Sequence, residues 1–430
     1  ALVDMYSRCG LLAKAEEVLN GLVVRDVVSW NALLTGYVQE GHAEEALCCF
    51  DKMQREGLSP DVVTLICILK ACCSIGAMDK GKRIHNEIVN RGLLERDAVL
   101  GNALVDMYAK CGLHSKARRV LEELPIQDSG SWNALIASYA RQGQGHEALH
   151  CYRLMQSEGF FPDVVTFICI LKVCGPMGAI EEGLQIHGEI INRGNLLDKD
   201  VVLGNALVDM YARCGMLVEA QDIFEKLPFQ GVASWNALIG GYAEAGLDLE
   251  SMSCFYEMHN EGICINMHGF SCTLKACGNL EAINKGQEIH SEISTNGMLE
   301  RDLDVGSALV GMYAKCGMLA EAQQMLERLP IRDVVSWSAL IAGYSEQGHG
   351  NQALSCLDEM QKEGIMPNEI TFVCVLKACH SIGAIEKGKQ IHNEIASMGL
   401  LKKSVMLGNA LVDLYAKCGI LAKAQEVLEE

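Results

Sequence analysis

Four His-x-Glu strings could do chemistry: His85 with Glu87, His187 with Glu189, His290 with Glu292 and His392 with Glu394. A histidine two residues before a glutamate is half of a zinc deaminase site, where the metal activates water and the glutamate moves the proton. The other half is a Pro-Cys-x-x-Cys string. The chain has twenty cysteines, yet no two are spaced as Cys-x-x-Cys. Such a site needs three protein ligands for zinc, so these strings cannot form one. Four copies at one place in a repeat read as architecture. No phosphate-cradling glycine loop and no nucleophile elbow occurs. We therefore expect no catalytic residues, no metal and no cofactor.

The elements behind those strings are repeats. Asn-Ala-Leu-Val-Asp-Met-Tyr-Ala starts at Asn102 and again at Asn205, with variants at Ser307 and Asn409. Ser-Trp-Asn-Ala-Leu starts at Ser29, Ser131 and Ser234, with a variant at Ser336. The period of about 102 residues divides into three unequal units. These run 27–61, 62–97 and 98–128, then 129–163, 164–200 and 201–231, then 232–266, 267–302 and 303–333. A last set covers 334–368, 369–404 and a partial unit, 405–430; residues 1–26 are the tail of another.

Each unit reads as two antiparallel helices. Trp30, Leu33, Leu34 and Tyr37 share one helical face, with Ser29 as the expected N-cap and Gly41 as a stop. Ala46, Leu47, Phe50 and Met53 mark the second helix, and Gly57 and Pro60 close the unit. One hairpin cannot bury its apolar face alone, so the hairpins must stack. The expected fold class is all-α, a right-handed superhelical α-solenoid forming a single array. Trp30, Trp132, Trp235 and Trp337 are expected in its core. So are two cysteine rows, Cys9, Cys111, Cys214, Cys316 and Cys418, and Cys72, Cys174, Cys277 and Cys379, as small buried thiols in a reducing compartment.

Unit lengths of 35, 36–37 and 31 residues, and a tendency of units to end in Asp or Asn, speak against tetratricopeptide repeats. Gly-Asn-Ala-Leu-Val-Asp-Met-Tyr-Ala-Lys-Cys-Gly and Val-Val-Ser-Trp-Asn-Ala-Leu resemble the S and P motifs of pentatricopeptide-repeat (PPR) proteins of the plant PLS type. Ile-Leu-Lys-Ala-Cys-Cys-Ser-Ile-Gly with Gly-Lys-Arg-Ile-His resembles their L motif. The resemblance covers the whole chain.

It implies single-stranded RNA as partner, one nucleotide per unit, with the fifth and last residues of a unit selecting the base. An asparagine amide both donates and accepts, so it can meet a Watson–Crick edge. Carried over by position, Asn31 with Asp61, Asn102 with Asp128 and Asn133 with Asp163 resemble uridine readers. Asn236 with Asn266 resembles a cytidine reader, Ser307 with Asp333 a guanosine reader and Ser338 with Asn368 an adenosine reader. Asn205 with Gly231 departs from the pattern and implies only a pyrimidine; Asn409 lacks its partner. Ile66, Ile168 and Val373 at the fifth place of L units cannot hydrogen-bond a base, and Ser271 stands in an altered context.

Second-place residues sandwich bases in the family: here Val28, Val63, Val99, Val165, Val202, Val335, Ile370 and Met406. Gly130, Ala233, His268 and Asp304 depart. Lys110, Arg141, Arg213, Lys315 and Lys417 share the thirteenth place, which in the family approaches phosphates. Gln39, Glu244 and Glu346 break that row. The implied target is U-n-U-U-n-Y-C-n-G-A-n, where n is any base and Y a pyrimidine.

The net charge of −19 runs against strong non-specific RNA binding. It keeps a second reading open, a protein-binding helical scaffold without base readout. Half the chain is hydrophobic, which excludes disorder, and no apolar run is long enough to span a bilayer. The chain opens at Ala1 inside a repeat, so we expect a fragment without its targeting segment. The resemblance implies a mitochondrion or chloroplast, a role in cytidine-to-uridine editing, and accessory proteins or a deaminase in trans as partners.

Overall fold

A computed structural model describes residues 1–125, 127–194, 196–297, 302–401 and 404–429. Glu430, at the end of the last partial unit, lies outside them. The described residues hold helices and no strand, and the fold is an all-α solenoid of helical hairpins. The unit from Val27 holds helices Val27–Gln39 and Ala43–Arg55; the next holds Val62–Ile75 and Met78–Asn90. Short extra helices lie near the ends of two L units, at Leu93–Glu95 and Leu196–Lys199.

The helices cluster into two compact units, residues 1–210 and 211–430. In the first, helix Val62–Ile75 packs on the first helices of the units before and after it, Val27–Gln39 and Ala98–Lys110. It also touches Ala43–Arg55 and its own partner Met78–Asn90. In the second, Met267–Asn279 does the same between Val232–Glu244 and Leu303–Lys315. The first helices are thus flanked along the row.

Helix starts correct one expectation. The N-cap before Trp30 is Asp26, in extended backbone, and Ser29 is the third helical residue. The Asp26 carboxylate accepts from the Ser29 N–H at 2.8 Å, and the Asp26 N–H donates to the Ser29 hydroxyl at 3.1 Å. This is a reciprocal capping box. The same box joins Asp61 to Thr64, Asp128 to Ser131, Asp163 to Thr166, Asp333 to Ser336 and Asn368 to Thr371. The last residue of a unit therefore starts the first helix of the next. Gly41 does end its helix, at φ +80°.

The four tryptophans are 2–4% exposed and belong to the core. Cys72, Cys174, Cys277 and Cys379 are fully buried. The other cysteine row is not: Cys111, Cys214, Cys316 and Cys418 are half-buried and Cys9 is exposed, because they follow first helices at their C-terminal ends. Three of the His-x-Glu histidines act between hairpins. His85 Nδ1 meets the Tyr108 hydroxyl at 2.8 Å, His290 meets Tyr313 at 2.7 Å and His392 meets Tyr415 at 3.0 Å. No group of three metal-ligating side chains occurs among the described residues.

Candidate nucleic-acid interface

The capping boxes place the unit-end carboxylates beside the fifth-place amides. Asn31 Nδ2 donates to both Asp61 oxygens at 2.9 and 3.0 Å. Asn133 donates to Asp163 at 3.0 and 2.9 Å, and Asn102 to Asp128 at 3.0 and 3.1 Å. Ser307 Oγ donates to Asp333 at 3.2 Å. In these four units the fifth and last residues meet, although 26 or 30 positions separate them.

The P and S amides differ in what holds the carbonyl. Thr64 Oγ1 donates to Asn31 Oδ1 at 2.6 Å, and Thr166 Oγ1 to Asn133 Oδ1 at 2.6 Å. At Asn102 the third helical residue is Ser131, whose hydroxyl turns back to the Asp128 carbonyl at 3.1 Å. Asn102 Oδ1 is buried without a hydrogen-bond partner, as is Asn205 Oδ1. Burial pushes the Asp61 carboxyl up, but the Thr64 N–H, the Asn31 amide and the Thr64 hydroxyl outweigh it, and its pKa falls below the ordinary value. An ionised Asp61 holds the amide nitrogen toward itself and the oxygen toward Thr64. One amide N–H and further carboxylate lone pairs stay uncommitted.

Two pairs depart. Asn236 Nδ2 donates to the Val232 carbonyl in its own helix at 2.6 Å, while Asn266 Oδ1 caps the Gly269 N–H at 2.9 Å. The two asparagines form no mutual hydrogen bond. Gly269 stands where other L units carry threonine, so Asn236 Oδ1 has no hydroxyl donor and is unpartnered. Ser338 reaches Asn368 only through Thr371: Ser338 and Thr371 hydroxyls lie 2.6 Å apart, and Thr371 Oγ1 donates to Asn368 Oδ1 at 2.9 Å. Gly231 caps its helix without a side chain, Asn205 is half-buried and Asn409 is exposed.

Asn31, Asn133, Asn236, Ser307 and Ser338 are only 5–8% exposed, Asn102 more. The second-place residues are the opposite. Val28, Val63, Val99, Val165, Val202, Val335, Ile370 and Met406 are 51–72% exposed, each at the start of a first helix. The same place thus leaves an apolar side chain in water in eight units. Two clefts join both rows. Val28 and Asn31 line one of about 650 Å³ with Thr35 and Gln39. Ser307 and Val335 line another of about 270 Å³ with Lys275 and Lys315.

The thirteenth-place cations are exposed but less free than expected. Lys110 pairs with Asp106 at 2.7 Å and Lys417 with Asp413 at 2.9 Å, each one helical turn back. Lys315 donates to Asn279 Oδ1 at 2.5 Å. Arg141 is exposed, as is Arg213. Sequence reasoning missed the threonine at the third helical place (Thr64, Thr166, Thr371). Its signal is the Asp/Asn-x-x-Thr spacing of a capping box.

Stacked hairpins with polar and apolar rows on their first helices define a tandem helical-repeat protein. The profile of the PPR repeat family matches residues 25–74, 127–175 and 332–381. That of the PPR repeat matches 1–27, 63–93, 102–126, 205–232, 233–263 and 307–334. A chloroplastic pentatricopeptide repeat-containing protein of Arabidopsis thaliana is 35% identical over 429 residues, 100% of this chain and 69% of that protein. A mitochondrial one from the same plant is 32% identical over 429 residues, 100% of this chain and 41% of that protein. The crystal structure of the pentatricopeptide repeat protein PPR10 from maize matches with a TM-score of 0.62 at 21% identity, over 100% of this chain and 67% of that one. The chain belongs to the pentatricopeptide-repeat family.

Proposed function

We propose that this chain is a PLS-type repeat array that binds single-stranded RNA sequence-specifically, one nucleotide per unit. Its target is U-n-U-U-n-Y-C-n-G-A-n. Its role is to guide organellar cytidine-to-uridine editing or another RNA-processing step, with the deamination chemistry supplied by a deaminase outside these repeats and accessory proteins as further partners. One observation carries the reading. In four units, those of Asn31, Asn102, Asn133 and Ser307, the residue that ends the unit caps the next helix and hydrogen-bonds the fifth-place amide or hydroxyl, near the row of exposed apolar residues that can stack on bases. Lys110, Arg141, Arg213, Lys315 and Lys417 supply phosphate contacts.

A binding assay with the target RNA and a version carrying purines at its U and C positions tests this. A mismatch at one good contact costs about 1–3 kcal/mol, on the scale known for base-edge readout in DNA. Equal affinity for both RNAs overturns the base-reading assignment. The near-complete burial of Asn31, Asn133 and Asn236 and the net charge of −19 favour a second reading, a protein-binding scaffold. It predicts no preference between the RNAs at any salt.

A further inference from the structure

Each L unit carries a lysine at its ninth place: Lys70, Lys172, Lys275 and Lys377. All four are exposed. None forms an ion pair among the described residues. This sets them apart from Lys110 and Lys417 at the thirteenth place of S units, which Asp106 and Asp413 neutralise from within the same helix. In a chain with a net charge of −19, the cations without a carboxylate partner hold whatever positive field a first-helix surface can offer.

Helix geometry puts these lysines on the strip that carries the exposed apolar row. The ninth place lies seven residues past the second, a turn of about −20° and a rise of about 10 Å; the thirteenth lies at about +20°. Lys70 thus shares a strip with Val63, Lys172 with Val165 and Lys377 with Ile370. In the second compact unit the cleft of about 270 Å³ brings the rows together, with Lys275 lining it beside Ser307, Val335 and Lys315. The fifth places of these L units are Ile66, Ile168, Ser271 and Val373, and three of them have no hydrogen-bonding group.

We propose that Lys70, Lys172, Lys275 and Lys377 bind the phosphates of single-stranded RNA, so that L units hold the backbone while P and S units read bases. The inference rests on the RNA-binding reading above and adds a phosphate-holding job to the units that reading leaves without base selection.

The test is fluorescence anisotropy on the full chain with the target RNA and its purine-swapped version, at salt from about 50 to about 200 mM. The proteins are wild type, the quadruple variant K70Q/K172Q/K275Q/K377Q, the matching Lys→Arg variant, and the pairs K70Q/K172Q and K275Q/K377Q. Four lost contacts at about 0.7 each lower the slope of log affinity against log salt by about 2.8. Over that fourfold salt range the wild type then loses about 50-fold more affinity than the quadruple Gln variant. Each pair takes about half the slope, and the Arg variant keeps it. The ratio between the two RNAs stays as in wild type. An unchanged slope in the Gln variants overturns the lysine assignment even if wild type prefers its target. A reduced slope without target preference sustains the lysines and sinks the base reading alone. A wild type that binds neither RNA sinks both.

Discussion

Thr64→Val tests the network that orients the amides. Thr64 is fully buried, and its hydroxyl serves two neighbours. It lies 2.6 Å from Asn31 Oδ1, to which it donates, and accepts from the Asp61 N–H at 3.3 Å. The hydroxyl also lies 2.9 Å from Asp61 Oδ1, and valine keeps the branched shape while removing all three contacts. Asp61 is exposed, so water can serve its freed N–H. Asn31 Oδ1 is enclosed and stays unpaired. A buried acceptor without a donor costs about 1–3 kcal/mol, and that is the expected loss of stability. Asn31→Ala removes the acceptor, so Thr64→Val in that background should cost less. A double-mutant cycle read by denaturant unfolding should return a coupling of about 1 kcal/mol. Additivity within about 0.3 kcal/mol would show that the hydroxyl and amide do not act on one another. The account of why P amides differ from S amides would then fall.

Three further outcomes follow from the packing. Gly343→Ala drives a methyl to 2.7 Å from Ala314 Cβ and 3.2 Å from its Cα, whereas Gly188→Ala meets nothing within 4 Å. Thermal unfolding should show a loss of about 1–2 kcal/mol for the first and a gain of about 0.5–1 kcal/mol for the second. Burial pulls the pKa of His85 and His290 below the ordinary 6.5, so the folded chain binds fewer protons than the unfolded one. Stability should hold above pH 6.5 and fall as the pH drops below it; stability curves for H85F/H290F should be flatter over that window. The thiols of Cys72, Cys277 and Cys379 are pushed up to about 11 by burial. Alkylation of the folded chain, read by mass spectrometry, should mark the exposed Cys9, Cys48 and Cys264 and spare those three.

Helical hairpins in tandem were legible because Trp30, Leu33, Leu34 and Tyr37 repeat at helical spacing and Gly41 punctuates them. The buried tryptophans follow from the same pattern. The true start of each helix was not legible from Ser29 alone, since Asp26 and Ser29 are both capping residues three positions apart. Extended backbone at Asp26 decides between them. The contrast between Asn31 and Asn102 was hidden for a related reason. Thr64 and Ser131 occupy the same place, yet one hydroxyl reaches across to a neighbouring hairpin and the other folds back on its own turn. Asn236 turns its amide to the Val232 carbonyl instead of Asn266, and Gly269 leaves its Oδ1 without the hydroxyl that Thr64 and Thr166 give Asn31 and Asn133; a position rule about two residues says nothing of a third. The ion pair at Lys110 comes from Asp106 four positions earlier, a spacing visible in the sequence once the helix is known.

The double task of Asp61, Asp128, Asp163 and Asp333 has an evolutionary consequence. A position that must open a helix tolerates few side chains: aspartate, asparagine, serine and threonine do it well, glycine only a few tenths of a kcal/mol worse, and alanine or an aliphatic residue at a cost of about 1 kcal/mol. Any alphabet written at unit ends is confined to that short set. Selection can exchange Asp for Asn, as between Asp163 and Asn266, without disturbing the solenoid, whereas a greasy replacement would loosen the joint between neighbouring hairpins before it altered any message.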